Sequence, residues 1–68
     1  MNTELDIRDI DAGETYYAIA DATRGGRCVM NGMFIAAWRS KKDAKEFAQG
    51  NADYTVVKCL KPEGGEYR

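Results

Sequence analysis

The spacing of apolar positions changes period twice between Met33 and Leu60. Residues 33–38, MFIAAW, form a nearly continuous apolar run of strand length. After Ser40 the apolar positions fall at Ala44, Phe47 and Ala48, the i, i+3, i+4 spacing of one helical face. Residues 54–60 return to a short period. Tyr54, Val56, Lys58 and Leu60 share one face, and Thr55, Val57 and Cys59 share the other. The boundaries carry the residues they need. Ser40 is a good N-cap, Asp43 follows three residues later in a variant of the capping box, and Gly50 with Asn51 closes the helix. The pattern predicts a strand–helix–strand unit. A helix this short is marginal in water and is expected to dock through Phe47. Its polar face carries Lys41, Lys42, Lys45 and Glu46, and the first two lysines oppose the helix dipole.

Upstream, residues 16–22 are aromatic and small, and read as a strand. Tyr17, Ile19 and Asp21 alternate with Tyr16, Ala18 and Ala20, and either set could face the core. The tyrosine turned away from the helix is expected on the open side of the sheet. Residues 23–27 contain Gly25-Gly26 and read as a turn. Asn31-Gly32 is a hairpin signal, because a type I′ turn needs positive φ twice. Residues 28–30 are then a short strand of a meander, with a bulge at Asn31-Gly32 inside one long strand as the alternative. Residues 1–15 alternate Leu5, Ile7 and Ile10 with acids and are expected to be an N-terminal arm. Pro62 stops the last strand, and residues 62–68 read as a loose tail. The expected fold class is α+β: a small antiparallel sheet of three to four strands, β-β(-β)-α-β, with one helix packed on one face and a single domain over residues 16–61.

Size narrows the functional classes. Sixty-eight residues give a thin core and no room for a deep pocket between two layers of packing, which argues against an enzyme. The net charge of −1 hides a strong asymmetry. Residues 1–15 hold Glu4, Asp6, Asp9, Asp11 and Glu14 against Arg8 alone. Residues 16–61 hold eight Lys and Arg against four acids. An acidic arm is thus tied to a basic body, and the arm either lies over the body or serves as an interaction surface. No apolar stretch approaches the roughly 18 residues of a membrane span, and a cytoplasmic protein is expected.

The chain contains no histidine, so Ser–His and Cys–His nucleophile pairs are excluded. Cys28 and Cys59 are too few for a structural zinc site. Two buried thiols are expected, although a disulfide stays open if their strands are neighbours. Arg24-Gly25-Gly26-Arg27 is basic and Gly-rich but lacks the spacing of a phosphate loop and is followed by no helix. No cofactor is implied. Three sets of residues remain as binding candidates. They are the acidic arm (Glu4, Asp6, Asp9, Asp11), a basic face (Arg24, Arg27, Arg39, Lys41, Lys42, Lys45), and Trp38 with Tyr16 as aromatic contacts. Aromatics beside Lys and Arg serve both protein partners and single strands.

Tyr17-Ala18-Ile19, the Gly25-Gly26 turn, Gly32 with Phe34, Trp38 and Ala52-Asp53-Tyr54 together resemble the amino-terminal hybrid-binding domain of ribonuclease H, over a little more than half of the chain. The resemblance implies binding to a hybrid or duplex backbone, with the family's roles falling on Trp38 and the nearby lysines. The basic residues before the last aromatic and the closing helix of that family are missing here. In size, layout and charge polarity the chain is also similar to small phage-encoded host-takeover proteins, such as inhibitors of RNA polymerase and anti-CRISPR proteins. That similarity implies a non-enzymatic inhibitor of a host protein or nucleoprotein complex, as a monomer or homodimer. The first reading is therefore a protein-binding inhibitor or adaptor, and the second a nucleic-acid-binding module.

Overall fold

A computed structural model describes residues 4–62. The elements are β1 (Leu5–Asp6), a 3₁₀ turn (Ile7–Asp9), β2 (Thr15–Asp21), a second 3₁₀ turn (Ala22–Arg24), β3 (Arg27–Cys28), β4 (Met30–Asn31), β5 (Phe34–Ala37), α1 (Lys41–Ala48) and β6 (Tyr54–Leu60). The class is α+β. The strands form two antiparallel sheets, ordered β1-β5-β4 and β3-β2-β6, where the sequence suggests one. Two junctions join them. Tyr17 and Trp38 exchange both backbone bonds, at 2.7 and 2.8 Å. At Val29 the chain changes partner: its N–H donates to the Ile19 carbonyl, and its own carbonyl accepts from the Ala36 N–H. Residues 27–31 thus leave β2 at one end and join β5 at the other, the meander layout with the change of partner at Val29.

The hairpin turn differs from expectation. Asn31 pairs with Phe34, which puts Gly32 and Met33 at the centre of the turn. Only Gly32 has positive φ (69°), the pattern of a type II′ turn, because Asn31 is held in the strand ladder. The helix follows its sequence signals more closely. Ser40 occupies the N-cap and its carbonyl accepts the first helical bond from Ala44, although its hydroxyl makes no cap bond. Gly50 takes the left-handed conformation that ends the helix (φ 82°).

Both faces of the central strand are covered. On one, Ile19, Ala36 and Trp38 pack against Ala44 of α1, with Tyr54 and Val56 beside them. Phe47 adds its ring against Trp38 (centroids 5.0 Å apart) and stacks on Tyr54 (6.1 Å). On the other face, Tyr16, Ala18 and Ala37 are covered by Ile7 and Ile10 of the N-terminal segment. Ile7 and Ile10 are therefore part of the core, with Leu5 packed against it, and the arm lies over the body. Alanines at 18, 36, 37 and 44 let the layers approach closely, so a thin core still closes.

Lys61 secures that second layer. Its side chain is buried, and its Nζ donates to the carbonyls of Ile7 (2.8 Å) and Ile10 (2.7 Å). Its backbone bonds to Gly13 and Glu14 (3.0 Å each) hold the same segment from the other side. An ammonium aimed at the carbonyl end of a helical turn is the favourable polarity. The tail expected over 62–68 lies, beyond Pro62, outside the described residues.

The register also settles the cysteines. Cys28 pairs with Ala20 on one edge of β2, and Cys59 pairs with Tyr16 on the other. The intervening strand keeps the two sulfurs from bonding, and both thiols are free. Burial pushes the Cys28 thiol up, and the nearby Cys59 adds to the shift.

Two outcomes are expected. Lys61→Met keeps the stem and deletes both charged hydrogen bonds, and should cost about 2–3 kcal/mol of folding free energy in urea denaturation. Alkylation by iodoacetamide at neutral pH should be slower at Cys28 than at a cysteine in a short peptide. Raising the pH should accelerate it, and air oxidation should yield no intramolecular disulfide by mass spectrometry.

Candidate partner-binding groove

The N-terminal segment covers only part of the second face of the sheet. It turns away at Ile7–Asp9, and beyond it the β3–β5 region is left partly open. There a groove of about 800 Å³ is lined by Ile7, Cys28, Met30, Met33, Phe34 and Ile35, with Arg8, Arg24, Arg27 and Lys61 around them. Among the described residues, every charged residue of this lining is a cation.

Each wall has a local cause. Arg24 and Arg27 are presented by the turn after β2. Asp21 shapes that turn from within: it is buried, and its Oδ1 accepts from the Thr23 N–H (2.9 Å) and Thr23 Oγ1 (2.6 Å). Gly25 then takes positive φ (72°) at the end of the 3₁₀ turn, and Gly26 follows at 84°, so the backbone doubles back into β3. Arg8 lies with its guanidinium 4.1 Å from the centre of the Phe34 ring, a cation–π contact at the groove wall. Its Nη2 is also 3.5 Å from Asp6 Oδ2, a loose pair in which Arg8 is exposed and Asp6 half-buried. Met33, at the hairpin turn, is 85% exposed, and Met30 is also exposed, so the floor presents two flexible thioethers to solvent.

The expected site residues fall into different places. Arg24 and Arg27 come together at the groove. Arg39 does not join them. Its Nη2 donates to the Asp9 carbonyl (3.2 Å) and its Nε is 3.6 Å from Glu14 Oε2, so it anchors the arm. Lys41, Lys42 and Lys45 are exposed on α1, which packs on the opposite face of the sheet. The basic face therefore divides in two, because Trp38 beside Tyr17 starts the helix at the other end of β2 from the Arg24 turn. Of the four arm acids, Glu4, Asp9 and Asp11 face solvent. Asp6 is half-buried and serves Arg8.

The aromatic contacts are corrected. Trp38 is 0% and Tyr16 2% exposed. Trp38 is enclosed under α1, and Tyr16, the tyrosine turned away from the helix, is roofed by Ile7 and Ile10. Both rings are buried, so the hybrid-binding role that the ribonuclease H resemblance implied for Trp38 has no exposed face to act through. Sequence reading missed Arg8, Lys61 and the two methionines. The only signal for them was that Met30 and Met33 flank a turn, where apolar side chains are rarely covered.

Among the described residues no group of three or more His, Cys, Asp or Glu is placed to hold a metal ion, and no helix is long and apolar enough to cross a membrane. No family model matches the chain, and no curated protein or solved structure is significantly similar to it.

Proposed function

We propose that this is a non-enzymatic protein-binding inhibitor or adaptor, and that its groove takes an acidic, amphipathic segment of a partner protein. One observation carries the reading: among the described residues, four cations and no acid line an apolar groove on which two methionines are open to solvent. Methionines adapt to irregular apolar side chains, and the arginines pair carboxylates with two donors each. Charge complementarity of this kind guides encounter and register more than it adds affinity. A chain of this size would act by covering a functional surface of a larger assembly, the mode of the small phage-encoded inhibitors that it resembles in layout.

The nucleic-acid reading has less support. Single strands are held by aromatic platforms beside cations. Here the largest rings are internal, and Arg8 covers the groove-side ring of Phe34. The helix lysines lie on the other face, so no single strand could follow all six basic residues.

The test is titration of ¹⁵N-labelled protein with a synthetic peptide alternating Glu or Asp with Leu or Phe. Amide shifts are expected at Arg24, Arg27, Cys28, Met33 and Phe34. Reversing both rim charges, Arg24→Glu with Arg27→Glu, should weaken binding roughly tenfold or more, and added salt should weaken it further. Met33→Asp should lower affinity and leave the melting temperature unchanged. The reading is lost if the peptide moves none of these amides, or if an oligonucleotide moves them and the peptide does not.

A further inference from the structure

Among the described residues, the large apolar side chains open to solvent fall into two pairs. Met30 and Met33 belong to the groove. Phe47 and Leu60 do not: the Phe47 ring, on α1, stacks on Tyr54 at the start of β6, and Leu60, 66% exposed, ends that strand. β6 is the outer strand of its sheet, with seven residues, as long as β2.

The hydrogen-bond parity of β2 fixes what the outer edge of β6 offers. Tyr17 and Ile19 bond toward Trp38 and Val29, so the even-numbered residues of β2 bond toward β6. Their partners are Thr55, Val57 and Cys59. The N–H and C=O groups of Val56, Lys58 and Leu60 therefore point outward, and no strand lies beyond them among the described residues.

We infer that this edge pairs with the β6 edge of a second copy, antiparallel and centred on Val57. The register follows from charge and from the exposed side chains. Centring on Lys58 would set two ammonium groups opposite each other, which is unfavourable. Centring on Val56 would leave Leu60 beyond the partner strand. Centring on Val57 sets Lys58 opposite Val56 of the second copy, where both residues exchange backbone bonds. It also sets Leu60 opposite Tyr54 of the second copy. Opposed residues of an antiparallel pair share a face, so Leu60 then covers the Tyr54–Phe47 stack of the second copy. The N–H of Leu60 meets the carbonyl of Tyr54 of the second copy, while the N–H of Tyr54 stays with the Asn51 carbonyl (3.2 Å). In this arrangement both helices lie on one side of a continuous sheet and both grooves on the other. An acidic partner with two segments could then be held at two points.

Sedimentation equilibrium of the full chain from micromolar to millimolar concentration tests the pairing. The expected result is a species of twice the 7.6 kDa chain mass. Lys58→Pro removes an outward N–H without touching the β2 ladder, and Leu60→Asp places a charge on an already exposed position. Each should raise the dimer dissociation constant roughly tenfold or more. Binding of the acidic peptide by the same variants reports that they are folded and reads the groove separately from the edge. A chain that stays monomeric throughout overturns the inference, and so does a dimer that either variant leaves intact.

Discussion

The arrangement depends on how the second face of a very small sheet is covered. One eight-residue helix can roof one face only. The other is roofed by the N-terminal segment, which supplies just Ile7 and Ile10 at full burial and little regular structure to hold them. The Lys61 ammonium closes the gap. It comes from the end of the last strand and ties the carbonyls of Ile7 and Ile10 to the sheet across 54 and 51 residues of sequence. Burying a cation costs free energy that hydrogen bonds to its donors offset, and two short bonds to carbonyls engage two of the three ammonium donors.

The distribution of charge follows from that closure. With Ile7 and Ile10 turned inward, Asp9 and Asp11 are turned outward, and Arg39 meets Asp9 and Glu14 on the rim of the same segment. Asp9, Asp11 and Glu14 are thus kept out of the groove lining, and Asp6 reaches it only through its pair with Arg8. What remains around the groove is Arg8, Arg24, Arg27 and Lys61. A chain that is slightly acidic as a whole thereby carries a groove whose charged lining, among the described residues, is all cations, and the field that a ligand meets is local, set over about one Debye length.

How much of this was legible in the sequence varies with the range of the interaction. α1 and β6 were readable because their signals are local: Ser40 and Gly50 bound the helix, and alternation through residues 54–60 marks the strand to its last residue. The division into two sheets was not readable, because it depends on Val29 changing partners, and nothing about a valine announces that. Tyr16 was expected on an open face because the arm was weighed by its acids. Leu5, Ile7 and Ile10, at positions where they could roof that tyrosine, carried the opposite message. The basic set looked like one face because its members are close in sequence, whereas the turn after β2 and the start of α1 lie at opposite ends of the sheet. Lys61 looked like the last residue before a tail. A lysine's role as an internal donor is fixed by which carbonyls it can reach, and that is a property of the closed fold.

Lys61 also links the fold to the groove, since one ammonium belongs to both. Its two carbonyl acceptors are neutral, so its positive charge is oriented by them without being cancelled, and it adds to the field of the three arginines. A carboxylate in its place would reverse both effects: it would repel the carbonyls of Ile7 and Ile10 and put a negative charge among the cations. A methionine would keep the packing and lose the tie and the charge together. Stability and ligand charge preference are therefore coupled at this position. At Arg24 and Arg27, exposed on a turn whose shape is held by Asp21, the two can vary independently.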